Sequence, residues 1–86
     1  MGSEHSPLEL TGHAERALAE RGIEQAWVAR VLATPDSVYP RDDGTVHYVA
    51  PVSERDGRML RVVTSSSAGR LRVVTAFFDR RLGRKP

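Results

Sequence analysis

With 86 residues and no cysteine, the chain is long enough for one hydrophobic core and excludes disulfides, thiolate metal sites and a cysteine nucleophile. The net charge is only +2, but Lys85 is the single lysine and arginine supplies the other cations, so the positive charge does not titrate near neutrality and suits phosphate or carboxylate recognition. No stretch approaches the ~20 apolar residues of a membrane helix and the first ten residues lack a cationic start followed by an apolar run, so a cytoplasmic protein with no membrane partner is expected.

Leu8 to Thr11 leads into a first helix. Thr11 has the hydroxyl that an N-cap needs, Gly22 can stop the helix, and Ala14, Ala17 and Leu18 fall on one face at helical spacing. On the wheel Arg21 lies among these apolar residues, whereas Arg16 and Glu20 point outward. Ile23 opens a second apolar set in which Val28, Val31 and Leu32 form a helical stripe with Trp27 at its margin. Pro35 ends that helix, because the residue before a proline is pushed out of the α region.

Val38-Tyr39-Pro40 reads as a short extended segment and Asp42-Asp43-Gly44 as a turn. Alternation of Val46, Tyr48, Ala50 and Val52 predicts a strand over Thr45 to Ser53, and the Asp56-Gly57 pair supplies a hairpin. Met59 to Ser65 is the next strand, Ser66 to Gly69 the next turn, and Arg70 to Phe78 the last strand. The fold class is therefore α+β, with two N-terminal helices packed on an antiparallel sheet of three to four strands. A single domain is expected over 8–80, with flexible termini at 1–7 and 81–86.

Leu60-Arg61-Val62-Val63-Thr64 recurs as Leu71-Arg72-Val73-Val74-Thr75, which sets the faces of the last two strands. Strict alternation with Val62 opposite Val73 collects Leu60, Val62, Thr64, Leu71, Val73, Thr75 and Phe77 on one face. Arg61 and Arg72 then surround Val63 and Val74 on the other, and the same register brings His47 and Val49 to that second face.

Several residues are candidates for chemistry. His13 stands beside a helix N-terminus, where the macrodipole favours the neutral imidazole that a general base needs; the structural alternative is a histidine that tops the helix and bonds a nearby loop. Arg21 can lay its stem on apolar surface and cap the helix carbonyls, or hold a phosphate from the helix end. Arg61, Arg72 and His47 on one sheet face, followed by Arg80, Arg81, Arg84 and Lys85, would make a cationic surface for a phosphate backbone; solvated strand charges and a basic tail account for the same residues. Thr64 and Thr75 read as ordinary strand residues. His5, His13 and His47 have no ligand spacing, no serine sits in a nucleophile elbow and the glycines punctuate turns, so no metal and no cofactor is expected.

The order His13-Ala14, Arg21-Gly22-Ile23, Val28, Val31-Leu32, Pro35 and a closing Val74-Thr75 strand resembles a bacterial domain-of-unknown-function family. Its members carry H-A-x-x-R-x-x-x-R-G-I and are similar to the RelE and BrnT ribonuclease toxins; the likeness runs from about Leu8 to Phe78. Ala17 stands where that motif has its first arginine, and Arg16, one position earlier, lies on a different helix face. The resemblance implies a RelE/BrnT-like fold and a metal-independent endoribonuclease of a toxin–antitoxin system, cleaving RNA through the ribose 2′-hydroxyl and held by a cognate antitoxin protein. Carried over by position, His13 would be the base or acid, Arg21 and Arg61 the phosphate stabilisers and Thr75 a hydrogen-bonding strand residue. Arg16, His47, Arg72, Arg80 and Arg81 would add nucleic-acid contacts. The alternative is a non-catalytic nucleic-acid- or protein-binding module of the same fold. A monomer or weak homodimer is expected.

Overall fold

The computed structural model describes residues 8–82, so His5, Arg84 and Lys85 lie outside the described residues. Helix α1 spans Gly12–Arg21. The Thr11 hydroxyl accepts from the Ala14 N–H at 3.1 Å, and Gly22, at φ 65°, turns the chain out of the helix while Ile23 N–H donates to the Leu18 carbonyl. Helix α2, Gln25–Ala33, starts at Glu24 without a side-chain cap and stops before Pro35. Trp27 is buried in the core instead of lying at the margin of α2, because Phe78 of the sheet comes to 6.5 Å from its ring. No helix among the described residues is long and apolar enough to cross a membrane.

Four strands follow: β1 Ser37–Pro40, β2 Thr45–Val52, β3 Arg58–Ser67 and β4 Arg70–Phe78. They form one antiparallel meander in the order β1-β2-β3-β4, with α1 packed on β4 and α2 on β2 and β3. The molecule is thus the α+β arrangement of two helices on one face of an antiparallel sheet. The core between the layers joins Ala14, Leu18, Ile23, Trp27, Val28 and Val31 to Ala50, Val52, Leu60, Val62, Val73 and Ala76.

Two details differ from the pattern of the sequence. Ser66 and Ser67 belong to β3, and the turn is only Ala68-Gly69, both at positive φ (52° and 76°), because a two-residue hairpin of this hand matches strand twist. The register between β3 and β4 also shifts. Val62 pairs with Ala76 and Thr64 with Val73, so the expected Val62–Val73 pairing does not occur. Val63 opposes Thr75 while Thr64 opposes Val73, leaving Val74 as the extra residue of a β-bulge. The bulge moves Thr75 and Phe77 off the helix face and onto the face of Arg61, and replaces them in the core by Ala76 and Phe78.

The bulge sits where the outer edge of β4 is already occupied. Leu10 bridges Val73 in parallel, Thr11 N–H donates to the Val73 carbonyl, Val73 N–H donates to Glu9, and the Thr11 hydroxyl reaches the Val74 carbonyl. This edge therefore offers few free backbone groups for another strand. Of the expected flexible termini, 1–7 and 83–86 lie outside the described residues; Arg81 and Leu82 fall within the 3-10 turn Arg80–Leu82.

Candidate functional site

The face of the sheet turned away from the helices carries two adjacent cross-strand rows. One runs Thr75–Val63–His47–Tyr39 and the other Phe77–Arg61–Val49–Ser37. Val49, Val63 and Met59 are buried here although neither α1 nor α2 covers them, beside polar and aromatic neighbours and Pro51. A thin aliphatic floor thus carries a charged centre.

Arg61 is that centre, and its side chain is only 10% exposed. Its Nε–H donates to Asp79 Oδ2 at 2.8 Å, its Nη1 lies 3.1 Å from His47 Nδ1, and its guanidinium carbon stands 5.4 Å from the centre of the Tyr39 ring. A guanidinium has donors and no acceptor, so His47 Nδ1 must offer its lone pair and the proton resides on Nε2. That Nε2–H points to the Thr45 hydroxyl at 3.2 Å, and the hydroxyl donates to Asp43 Oδ1 at 2.6 Å. Asp43 also accepts the Thr45 N–H, which ties the chain of bonds to the turn after β1. Burial, followed by the positive charges of Arg61 and Arg41, lowers the His47 pKa below its ordinary 6.5 and so disfavours the imidazolium.

Asp79 follows the last residue of β4 and is buried. Beside Arg61 it accepts from the Arg81 N–H at 3.0 Å and from the Arg81 guanidinium at 3.2 and 3.3 Å. The Arg81 bond above all, then that of Arg61, holds its carboxyl at about 2 against the opposing effect of burial. Arg61 uses one Nε and one Nη1 donor of its five; the other three meet no acceptor among the described residues. A buried guanidinium with open donors beside a neutral imidazole suits an anionic oxygen entering from this face. A recess of about 530 Å³ along β1 and its turn, lined by Val38, Tyr39, Pro40, Arg41, Asp42 and Asp43, adjoins the Tyr39 end of the row.

The other sequence candidates divide by location. Arg21 reaches round the edge of β4 and donates from Nη1 to the Thr75 hydroxyl at 3.3 Å and the Ala76 carbonyl at 2.8 Å, so Arg21 and Thr75 meet. Arg72 shares the face of Arg61, but Glu9 lies 3.6 Å from its guanidinium and also bonds Arg70. His13 and Arg16 are exposed on α1, Arg80 is exposed after β4, and no side-chain hydrogen bond or ion pair joins any of the three to another described residue. Ala17, the position of the motif's missing arginine, is buried. Among the described residues no group of three or more His, Asp or Glu is placed to hold a metal ion.

Asp79, Tyr39, Thr45 and Asp43 are the residues that sequence reasoning passed over. The only signal for Asp79 is an acidic residue closing an apolar strand ahead of Arg80-Arg81; the signal for Asp43-Gly44-Thr45 is that of an ordinary turn. No curated protein and no solved structure gives a significant match to the chain. A family described as a domain of unknown function, DUF4258, matches residues 10–78, and the chain belongs to that family.

Proposed function

We propose that the open face of the sheet holds the phosphate backbone of RNA, and that the protein is a toxin-like, metal-independent endoribonuclease similar to RelE and BrnT. The observation that carries this reading is Arg61, nine-tenths buried, fixed by Asp79 and His47, with three N–H donors that meet no acceptor among the described residues. Cleavage by this route has the ribose 2′-oxygen attack the adjacent phosphorus as a base removes its proton. The P–O5′ bond then breaks and the 5′-oxygen takes up a proton, leaving a 2′,3′-cyclic phosphate and a 5′-hydroxyl. Arg61 would stabilise the charge gathering on the non-bridging oxygens, with Arg21 and Thr75 at the far end of the row and Arg72 and Arg81 on the flanking backbone. His13, the proton-transfer candidate of the sequence, stands on α1 on the other side of the sheet from Arg61, and could act only on RNA that passes round the β4 edge spanned by Arg21. A cytoplasmic site of action and an antitoxin that covers the open face follow from the same reading.

A second reading, a nucleic-acid-binding module without catalysis, is favoured by one observation. Both nitrogens of His47 are engaged and no described residue bonds the His13 ring to orient it, so among the described residues no proton-transfer pair is assembled. Incubation with single-stranded RNA in excess chelator separates the two. The endoribonuclease yields cyclic-phosphate ends, and His13→Gln lowers the rate roughly a hundredfold, with binding kept, only if RNA rounds the β4 edge to reach α1. Salt-sensitive binding without cleavage leaves the binding module, and no binding at low salt removes both readings.

A further inference from the structure

The chain of bonds that begins at Arg61 does not end at the face it serves. From His47 it continues through Thr45 to Asp43, in the turn between β1 and β2, and every link has a fixed direction. Asp43, an ionised carboxylate, only accepts; the Thr45 hydroxyl therefore donates to it at 2.6 Å and has a lone pair left for His47 Nε2–H. Arg61 only donates, so Nδ1 must accept. The two ends select the same tautomer, and neither end tolerates a second proton on the ring. A protonated imidazole would set an Nδ1–H against the Nη1–H of Arg61, donor against donor and cation against cation.

We propose that His47 is a positioning residue for Arg61, held as the Nε2–H tautomer by Thr45 and Asp43 so that the unspent donors of Arg61 face a phosphate oxygen on the open face. The hairpin between β1 and β2 thereby controls an anion site whose cation belongs to β3. The proposal rests on the reading of the open face as a phosphate site. The groups around His47 are Tyr39 on β1, Arg41 and Asp43 in the hairpin turn, Arg61 on β3, and Asp79 with Arg81 beyond β4. Of these, Arg41 and Arg61 oppose an imidazolium, and Asp43 favours it.

A positioning role and a merely cationic role have opposite signatures. If His47 only added charge, acidification would tighten the binding of RNA, and His47→Asn and His47→Leu would be equivalent. If it positions Arg61, wild-type affinity for a single-stranded RNA oligonucleotide falls as His47 takes up its proton. His47→Asn, whose side-chain carbonyl can still accept from Arg61, should stay within about twofold of wild type and lose that pH dependence, while His47→Leu should lose about tenfold. Asn and Leu variants that bind alike would overturn the proposal.

Imidazole nitrogen shifts measured by NMR on the wild-type protein and on Thr45→Val test it without RNA. A wild-type Nε2–H tautomer, weakened by Thr45→Val, and an Arg61 Nε–H signal that moves with the His47 titration support the proposal. An Nδ1–H tautomer, or an Arg61 signal indifferent to that titration, overturns it. Failure of the wild-type protein to bind RNA at low salt would instead overturn the phosphate reading of the open face, with the His47–Arg61 coupling still decided by the NMR arm.

Discussion

On the helix side of the sheet, β2, β3 and β4 bury aliphatic side chains against α1 and α2, and the one buried polar side chain there among the described residues, Thr64, gives its hydroxyl to the Val46 carbonyl at 3.0 Å. On the open side the same strands bury a guanidinium and a carboxylate above Val49, Val63 and Met59. The first face does what a small domain needs, removing apolar surface from water. The second holds two charges out of water, where a well-packed apolar pair would be as stable or more so. Stability therefore explains the helix side and leaves the Arg61–Asp79 pair unexplained; under the proposed phosphate reading, a ligand for the remaining donors of Arg61 would supply the reason.

The contrast can be broken or sharpened by experiment. The largest loss is expected on the helix side: Leu60→Ala, at a fully buried position, should cost about 3 kcal/mol in denaturant unfolding with no specific effect on RNA binding per folded molecule. Asp79→Leu leaves Arg61 buried without its carboxylate and should cost about 3 kcal/mol, whereas Arg61→Met with Asp79→Leu should return to within about 1 kcal/mol of wild type. The double variant would fold yet fail to bind RNA, which separates the purpose of the pair from its stability; retained RNA binding would remove Arg61 from the site.

The pH dependence of stability is a smaller effect with a definite sign. The Asp79 pKa lies at about 2 against an ordinary 3.8, so its contribution is complete above the ordinary value and is lost as pH falls through about 2. The His47 pKa is lowered from 6.5, so the unfolded chain binds the proton more readily. Stability should then drop as pH falls below about 6.5, and His47→Asn should remove that step from a series of melting curves. The smallest effect is that of Arg72, half exposed and already beside Glu9. Arg72→Gln should leave melting unchanged and reduce the salt slope of RNA binding by about one unit or less.

Much of the layout was legible in the chain. Thr11, Gly22 and Pro35 mark the helix ends by capping, left-handed backbone and proline sterics, and those effects are local. The placing of His47 and Val49 on the face of Arg61 also follows from period-two alternation. The β4 faces were not legible, because the doublets Val73-Val74 and Phe77-Phe78 suit either phase and the bulge at Val74 is set where Glu9, Leu10 and Thr11 bind the strand edge, some sixty residues away. Arg61 on its strand looks like any solvated arginine. Only its register beside His47, and the return of the chain at Asp79, make it a buried centre.

The central claim, that the open face and not the helix side meets RNA, is tested most directly by following backbone amide and side-chain NMR signals as a single-stranded RNA oligonucleotide is added at low salt. The account predicts shifts at Tyr39, His47, Arg61, Val63 and Thr75, with Ala14, Trp27 and Val28 still. Shifts centred on α1 and α2, or none at saturating RNA, would contradict it.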